Sequence, residues 1–345
     1  MPLHLRRAAR LPGPASLLIV LLLATLSCVP RYRRCPEPPA ARAIPRDRQA
    51  LSTTGLYKDL RTGALADGVV AYKPAYELWS DGAAKRRWIW LPPGAQIDAA
   101  DMDAWQFPAG TKIWKEFVRD GVRAETRLME KTGPAPEDWF LMAYLWQADA
   151  SDAIASPDGA HDVLGTAHDV PPARDCLGCH AGTPGRVLGF SAIQLNHEGA
   201  AGEYSLDRLV QEGRLHGGTT SVRPVPGDEK TRAVLGYLHA NCAHCHNQHR
   251  PPELPGGRCY NPRKPFDLSL RTVDLGSVEE TAVYRTAIGE MIVPGAPESS
   301  PVYKRSRGDL EFFQARMPDL ATEVLDPALL PLLEGWIRGL PPKHP

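Results

Sequence analysis

The 345-residue chain carries no net charge, because 40 Lys and Arg balance 40 Asp and Glu. That balance excludes the basic footprint of a nucleic-acid-binding protein. Cysteine is sparse, seven in all, too few for a disulfide scaffold at this length, so its spacing has to carry the meaning. Long apolar runs are lacking too. Leu17–Leu26, reading LLIVLLLATL, is about half of the ~20 residues that a spanning helix needs. Methionine numbers six, with none between Met142 and Met291. What is abundant is glycine and proline, 30 and 34 residues, about a fifth of the chain against a usual ~12%. That excess predicts many turns and long loops rather than a helix bundle. A hydrophobic share of 43% with 23% charged residues is that of a globular protein and excludes wholesale disorder. The length suggests two or three domains.

Arg6, Arg7 and Arg10, then the apolar run, then small residues have the layout of a secretory signal over 1–27. The alternative is an uncleaved membrane anchor. Thr25-Leu26-Ser27-Cys28 is similar to a bacterial lipobox, which makes Cys28 a candidate lipid anchor of a lipoprotein signal. Removing 1–27 takes away three Arg and no acid, leaving 37 bases against 40 acids, a net of −3. The expected compartment is the periplasm, with the chain soluble there or lipid-tethered to the membrane.

Residues 28–50, rich in Pro, Arg and Ala, read as a linker. Residues 51–150 read as an antiparallel β-rich domain. Lys85–Leu91 closes on Pro92-Pro93-Gly94; Thr111–Arg119 and Val122–Lys131 flank Asp120-Gly121, a hairpin signal; Trp139–Gln147 is a mixed apolar run. Seven of the eight tryptophans lie between Trp79 and Trp146. They serve either strand packing or an exposed ligand platform at Trp79, Trp88 and Trp90. Residues 151–172 are polar and turn-rich, a connecting segment. A first motif region follows at 173–225 and a second at 226–345, with helices expected over Asp228–Asn241 and from Asp326 to Leu340. The fold class is thus α+β multidomain: a β-rich domain, then a mainly α-helical region.

Two motifs carry chemistry. Cys176-Leu-Gly-Cys179-His180 and Cys242-Ala-His-Cys245-His246 are both C-x-x-C-H, which in an exported chain reads as covalent haem c attachment. Two thiols about one helical turn apart add to the two haem vinyl groups, and the following His180 or His246 ligates the iron. Covalent attachment holds the group even when one axial bond breaks. Zinc is the alternative, but ribbon pairs usually lie about 15–20 residues apart, whereas Cys242 follows Cys176 by 66 positions. Disulfides within each pair are a further alternative. Each haem iron takes a sixth ligand or leaves a vacancy. For a first pocket built from 181–241 alone, Met is excluded, which leaves His197 and His216, or Met291 supplied across the domain pair. For the second haem, Met317 and Met291 are the candidates. Arg174, Arg186 and Arg250 lie near the motifs as candidate propionate partners. Cys35 and Cys259 remain as a candidate pair if Cys28 is lipidated.

The segments Tyr237–His246, Met317-Pro318 and Leu332–Ile337 resemble the c-type cytochrome superfamily, and Val293–Ser300 resembles a connector of multidomain bacterial cytochromes. The resemblance implies that Met317 sits in the distal Met-Pro loop, with a terminal helix packed on the helix that enters the second motif. From residue 51 onward the chain is similar to a narrower family, exported bacterial dihaem c-type cytochromes with an N-terminal domain of unassigned role. Tyr76–Ala83, Lys85, Arg87, Leu91-Pro92, Phe107–Thr111, Lys115, Phe117, Glu125–Leu128 and Gln194–Asn196 carry that likeness, with Trp79 where the family would have Phe. The expected function is electron transfer through two haems between unidentified redox protein partners. A dihaem, peroxidase-like oxidoreductase with a substrate-accessible first haem is one alternative. A β-domain binding module with a haem relay is another.

Overall fold

The computed structural model describes residues 44–219, 221–250, 266–309, 316–318 and 322–342. The leader 1–27, Cys28, Cys35 and Cys259 lie outside the described residues. The architecture is α+β. A short hairpin pairs β1 (Tyr57–Asp59) with β2 (Ala64–Leu65). Six further strands, β3 (Val69–Ala71), β4 (Ala84–Trp90), β6 (Lys112–Arg119), β7 (Val122–Lys131), β8 (Trp139–Trp146) and β9 (Ala153–Ala155), form one antiparallel sheet in that order. β5 (Ile97–Asp98) pairs in parallel with β10 (Leu215–His216).

The β6–β7 hairpin forms where Asp120-Gly121 calls for it. Both residues are left-handed, φ 51° and 81°, as a two-residue turn between right-twisting strands requires. Period-two alternation then sorts the side chains of the long strands. One face carries Trp88, Trp114, Leu128, Met142, Tyr144 and Trp146, which form a core against Leu51 and Leu56. Trp114 is fully buried, and its Nε1 donates to Thr54 Oγ1 at 3.1 Å. The other face carries Ile89, Ile113 and Met129, which pack on Phe190, Leu195, Leu206 and Leu209 from beyond the sheet. Trp88, Trp105, Trp114, Trp146 and Trp336 are buried, Trp79, Trp90 and Trp139 are half-buried, and no described tryptophan is exposed. The platform that exposed indoles would make is therefore absent among the described residues: alternation turns these rings inward.

The helices are short: α1 (Cys176–His180), α2 (Ala192–Leu195), α3 (Leu206–Gln211), α4 (Glu229–Asn241), α5 (Ala282–Thr286), α6 (Pro301–Arg307) and α7 (Leu329–Gly339). α4 starts at its sequence signal, where Asp228 accepts the Thr231 N–H at 2.8 Å. Val234, Leu235 and Leu238 of α4 and Leu333, Trp336 and Ile337 of α7 share one core. α7 begins later than the Asp326 signal because Asp326 closes the preceding turn, accepting the Ala328 N–H at 2.9 Å. The described residues belong to one compact unit. The interval 151–172 contributes β9 to the sheet edge.

The stretch Tyr76–Ala83 joins sheet to helices. Tyr76 N donates to Gln194 Oε1 (2.9 Å) and Trp79 N to Asn241 Oδ1 (2.6 Å). Asn241 Nδ2 donates back to the Glu77 carbonyl (3.1 Å), and Asp81 accepts from the backbone of Glu323 and Val324 (2.9 and 2.8 Å). Gly236, inside α4, is there because any Cβ would lie 2.0 Å from the Tyr76 ring; that close approach outweighs the ~1 kcal/mol that mid-helix Gly costs. Asn241 is 3% exposed, so Asn241→Ala strands a buried N–H and two carbonyls. We expect roughly 2–3 kcal/mol of destabilisation in urea unfolding. A midpoint unchanged from wild type would refute the joint.

Candidate functional site

The two C-x-x-C-H motifs fold differently and meet. α1 is the first motif itself, so Cys176 and Cys179, three apart, share one helix face. The second motif follows α4 as a turn, in which the N–H groups of Cys245 and His246 donate to the Cys242 carbonyl (3.0 and 2.8 Å). Arg250 Nη1 donates to the Gly178 carbonyl at 2.9 Å, and Asn247 Nδ2 to the Gly182 carbonyl at 2.8 Å. A Cβ on Gly182 would lie 1.9 Å from the His244 carbonyl oxygen, so the two backbones touch there. The Cys179 and Cys245 thiols lie close enough to shift each other's ionisation.

That contact and burial set the thiol chemistry. The neighbouring Cys245, then burial, push Cys179 well above the ordinary thiol range. Cys179 and His244 hold Cys245 below that range against the opposing effect of burial. Burial alone raises Cys176 to about 11 and Cys242 to about 12. These two are therefore inert as free nucleophiles.

Burial lowers His180 and His246 to about 4, so both rings are neutral at pH 7. The His180 Nδ1 lies 2.7 Å from the Arg186 carbonyl. A carbonyl only accepts, so Nδ1 carries the proton and Nε2 keeps its lone pair, the tautomer of a metal-ligating histidine. Arg186 reaches this geometry with a left-handed backbone, φ 57°. His239 has the opposite tautomer: its Nδ1 accepts the Leu270 N–H at 3.1 Å, which puts the proton on Nε2. His246 stacks on Phe266, ring centres 4.5 Å apart.

A cavity of about 290 Å³ opens beside the first motif, lined by Cys176, Cys179 and His180. The sheet supplies one wall, with Ile113 and Met129, and Trp105 and Phe190 add aromatic surface. Arg87, Lys115 and Arg127 also line it. They stand directly opposite one another on β4, β6 and β7. Arg127 pairs with Glu125, which also meets His168 at 3.2 Å. Burial pushes the Glu125 carboxyl up, but Arg127 and His168 overcome it and hold it below its ordinary value.

The sequence-derived candidates separate accordingly. The two motifs meet through their backbones, and of the six motif residues Cys176, Cys179 and His180 line the cavity. His197 and His216 do not line the cavity: the His197 ring is engaged by the carbonyls of Glu198 and Lys73 (2.9 and 2.7 Å), and His216 is exposed on β10. Met291 packs at the margin of the α4–α7 core. Met317 N donates to the Arg305 carbonyl at 3.1 Å, and its neighbour Pro318 reaches the cavity. Arg174 stands near Asp175 at 4.0 Å, on the surface. The cavity is not built from 181–241 alone, because strands β4, β6, β7 and β8 supply one of its walls. Lys115 and Met129 escape a reading confined to 181–241 for that reason, whereas His239 on α4 and His244 inside the second motif are local to the motifs and are further lining residues. The inward alternation of Ile113 and Lys115 was the one signal that pointed to the sheet wall.

Among the described residues no group of three or more His, Cys, Asp or Glu converges as a metal site, and no helix is long and apolar enough to cross a membrane. No family model matches the chain, and no curated protein or solved structure is similar to it.

Proposed function

We propose that the protein is an exported dihaem c-type cytochrome that passes electrons between redox partners in the periplasm or at a membrane surface. The observation that carries the reading is the contact between the two motifs, made by Asn247 on Gly182, Arg250 on Gly178 and the close approach of Gly182 to His244. Attachment sites brought together in this way suit an internal electron relay. Bound haem supplies one-electron exchange at iron. The chain supplies the rest: Cys176, Cys179, Cys242 and Cys245 for attachment, and His180 and His246 as proximal ligands. The Arg186 carbonyl fixes the His180 ring, and Trp105, Phe190 and Ile113 exclude water.

The residues present fit such a group. Trp105 Nε1, Thr183 Oγ1, His244 Nδ1 and Arg271 Nε are buried without partners, and all four residues line the first cavity. Three of these atoms are donors that need an acceptor-bearing ligand. The cytochrome-like character of 173–345 belongs to the same proposal, with α4 entering the second motif, α7 packed on it, and Met317 as the sixth ligand of the second haem.

The test is the visible spectrum of the full chain, oxidised and reduced, made with cytochrome c maturation, together with a haem stain on a denaturing gel. Two covalent low-spin haems per chain are expected. Absence of covalent haem would return the four Cys to other chemistry and remove the proposal. The polar cavity wall favours one second reading, a dihaem oxidoreductase whose first haem takes substrate. A high-spin component that binds added ligand would select it.

A further inference from the structure

Arg87, Lys115 and Arg127 stand opposite one another in register on β4, β6 and β7, and all three line the first-motif cavity. Like charges directly opposite on neighbouring strands destabilise a sheet. Here they lie on its covered face, where the charges are poorly screened. Two of the three have a local counter-charge: Arg87 reaches Glu77 at 3.3 Å, and Arg127 pairs with Glu125. Lys115, in the middle, has no ion pair or hydrogen bond among the described residues; its Nζ lies 4.8 Å from the centre of the Phe117 ring. Burial, then Arg87 and Arg127, press its ammonium well below the ordinary lysine range. A purely structural strand would replace this residue by an apolar one, as Ile113 does two positions earlier.

We propose that the Arg87–Lys115–Arg127 row is a carboxylate-binding site, with Lys115 as the central contact between two guanidinium groups. An anion there compensates the row and meets the buried donor Trp105 Nε1, which has no hydrogen-bond partner and whose residue lines the same cavity. Planar carboxylate suits the guanidinium fork. Two sources carry that chemistry: the propionate arms of a haem attached at Cys176 and Cys179, or a free organic acid. The first source rests on the proposed function; the second does not.

The experiment uses the full matured chain as wild type, Lys115→Met and Lys115→Arg, with Arg61→Met, exposed on the β1–β2 hairpin, as a surface control. Midpoint potentials are followed against pH, with and without succinate. If propionate occupies the row, Lys115→Met moves the ionisation linked to one haem by at least about tenfold in its constant, and succinate has no effect. If a free acid occupies it, succinate shifts the wild-type potential or spectrum, and Lys115→Met weakens its binding by about tenfold or more. Lys115→Arg retains the wild-type response in both cases, and Arg61→Met changes nothing. A Lys115→Met protein matching wild type in pH profile and in succinate response overturns the proposal. A preparation without haem sinks the cytochrome reading alone, because a thermal-shift titration of that same protein with succinate, wild type against Lys115→Met, still decides the row.

Discussion

Serine at both Cys176 and Cys179 is expected to lower covalent haem from two per chain to one, and the pair Cys242→Ser with Cys245→Ser to do the same from the other side. Each thioether needs a thiol sulfur, and a hydroxyl of nearly equal size cannot take its place. The fold should survive. The four motif cysteines are half-buried and free; Cys242 packs at the margin of the α4–α7 core, and substitutions at such positions cost roughly 0.5–3 kcal/mol. The two losses differ in one respect. His180 keeps its lone pair and its Arg186 contact in the first variant, so haem can remain in the walled cavity without a covalent bond and be lost only on denaturation. Haem-to-chain ratios before and after a denaturing gel separate these states. Two covalent haems retained in either variant would sink the assignment of that motif.

Gly182→Ala is expected to be the most damaging single change, roughly 3 kcal/mol or more. The added Cβ would fall 1.9 Å from the His244 carbonyl oxygen. That oxygen belongs to backbone, and its loop is fastened to the first motif by Asn247 on Gly182 and Arg250 on Gly178. Neither side can yield without parting the motifs. Gly339→Ala is the control, since nothing lies within 4 Å of a Cβ there. Urea unfolding measures the stability, and the magnetic interaction between the two haems measures their separation. A Gly182→Ala protein as stable as the control, with unchanged spectra, would contradict the contact on which the proposed relay depends.

Much of this was legible in the sequence. The strands 112–119, 122–131 and 139–146 and the Asp120-Gly121 turn follow from period-two alternation and from the φ requirements of a tight hairpin. α4 follows from its cap and its apolar spacing. The two C-x-x-C-H motifs were readable because each is confined to five consecutive residues, and the haem attachment read from them is the proposal. The Tyr76–Ala83 stretch was visible as a family likeness with no role attached, and its role is to dock the sheet on α4 and the 322–324 segment.

What tertiary structure alone decided depends on long-range placement. No local pattern says that residue 179 meets residue 245, or that Gly182 packs on His244. His197 and His216 were reasonable candidates from their positions between the motifs, yet other backbone atoms and solvent claim them. Residues on the sheet, more than forty positions earlier in the chain, wall the cavity instead. Arg87, Lys115 and Arg127 look like ordinary surface charges when each is read in its own strand. Strand register and the burial of that sheet face bring the three together, and only then is their mutual repulsion visible, which the anion proposed above would relieve.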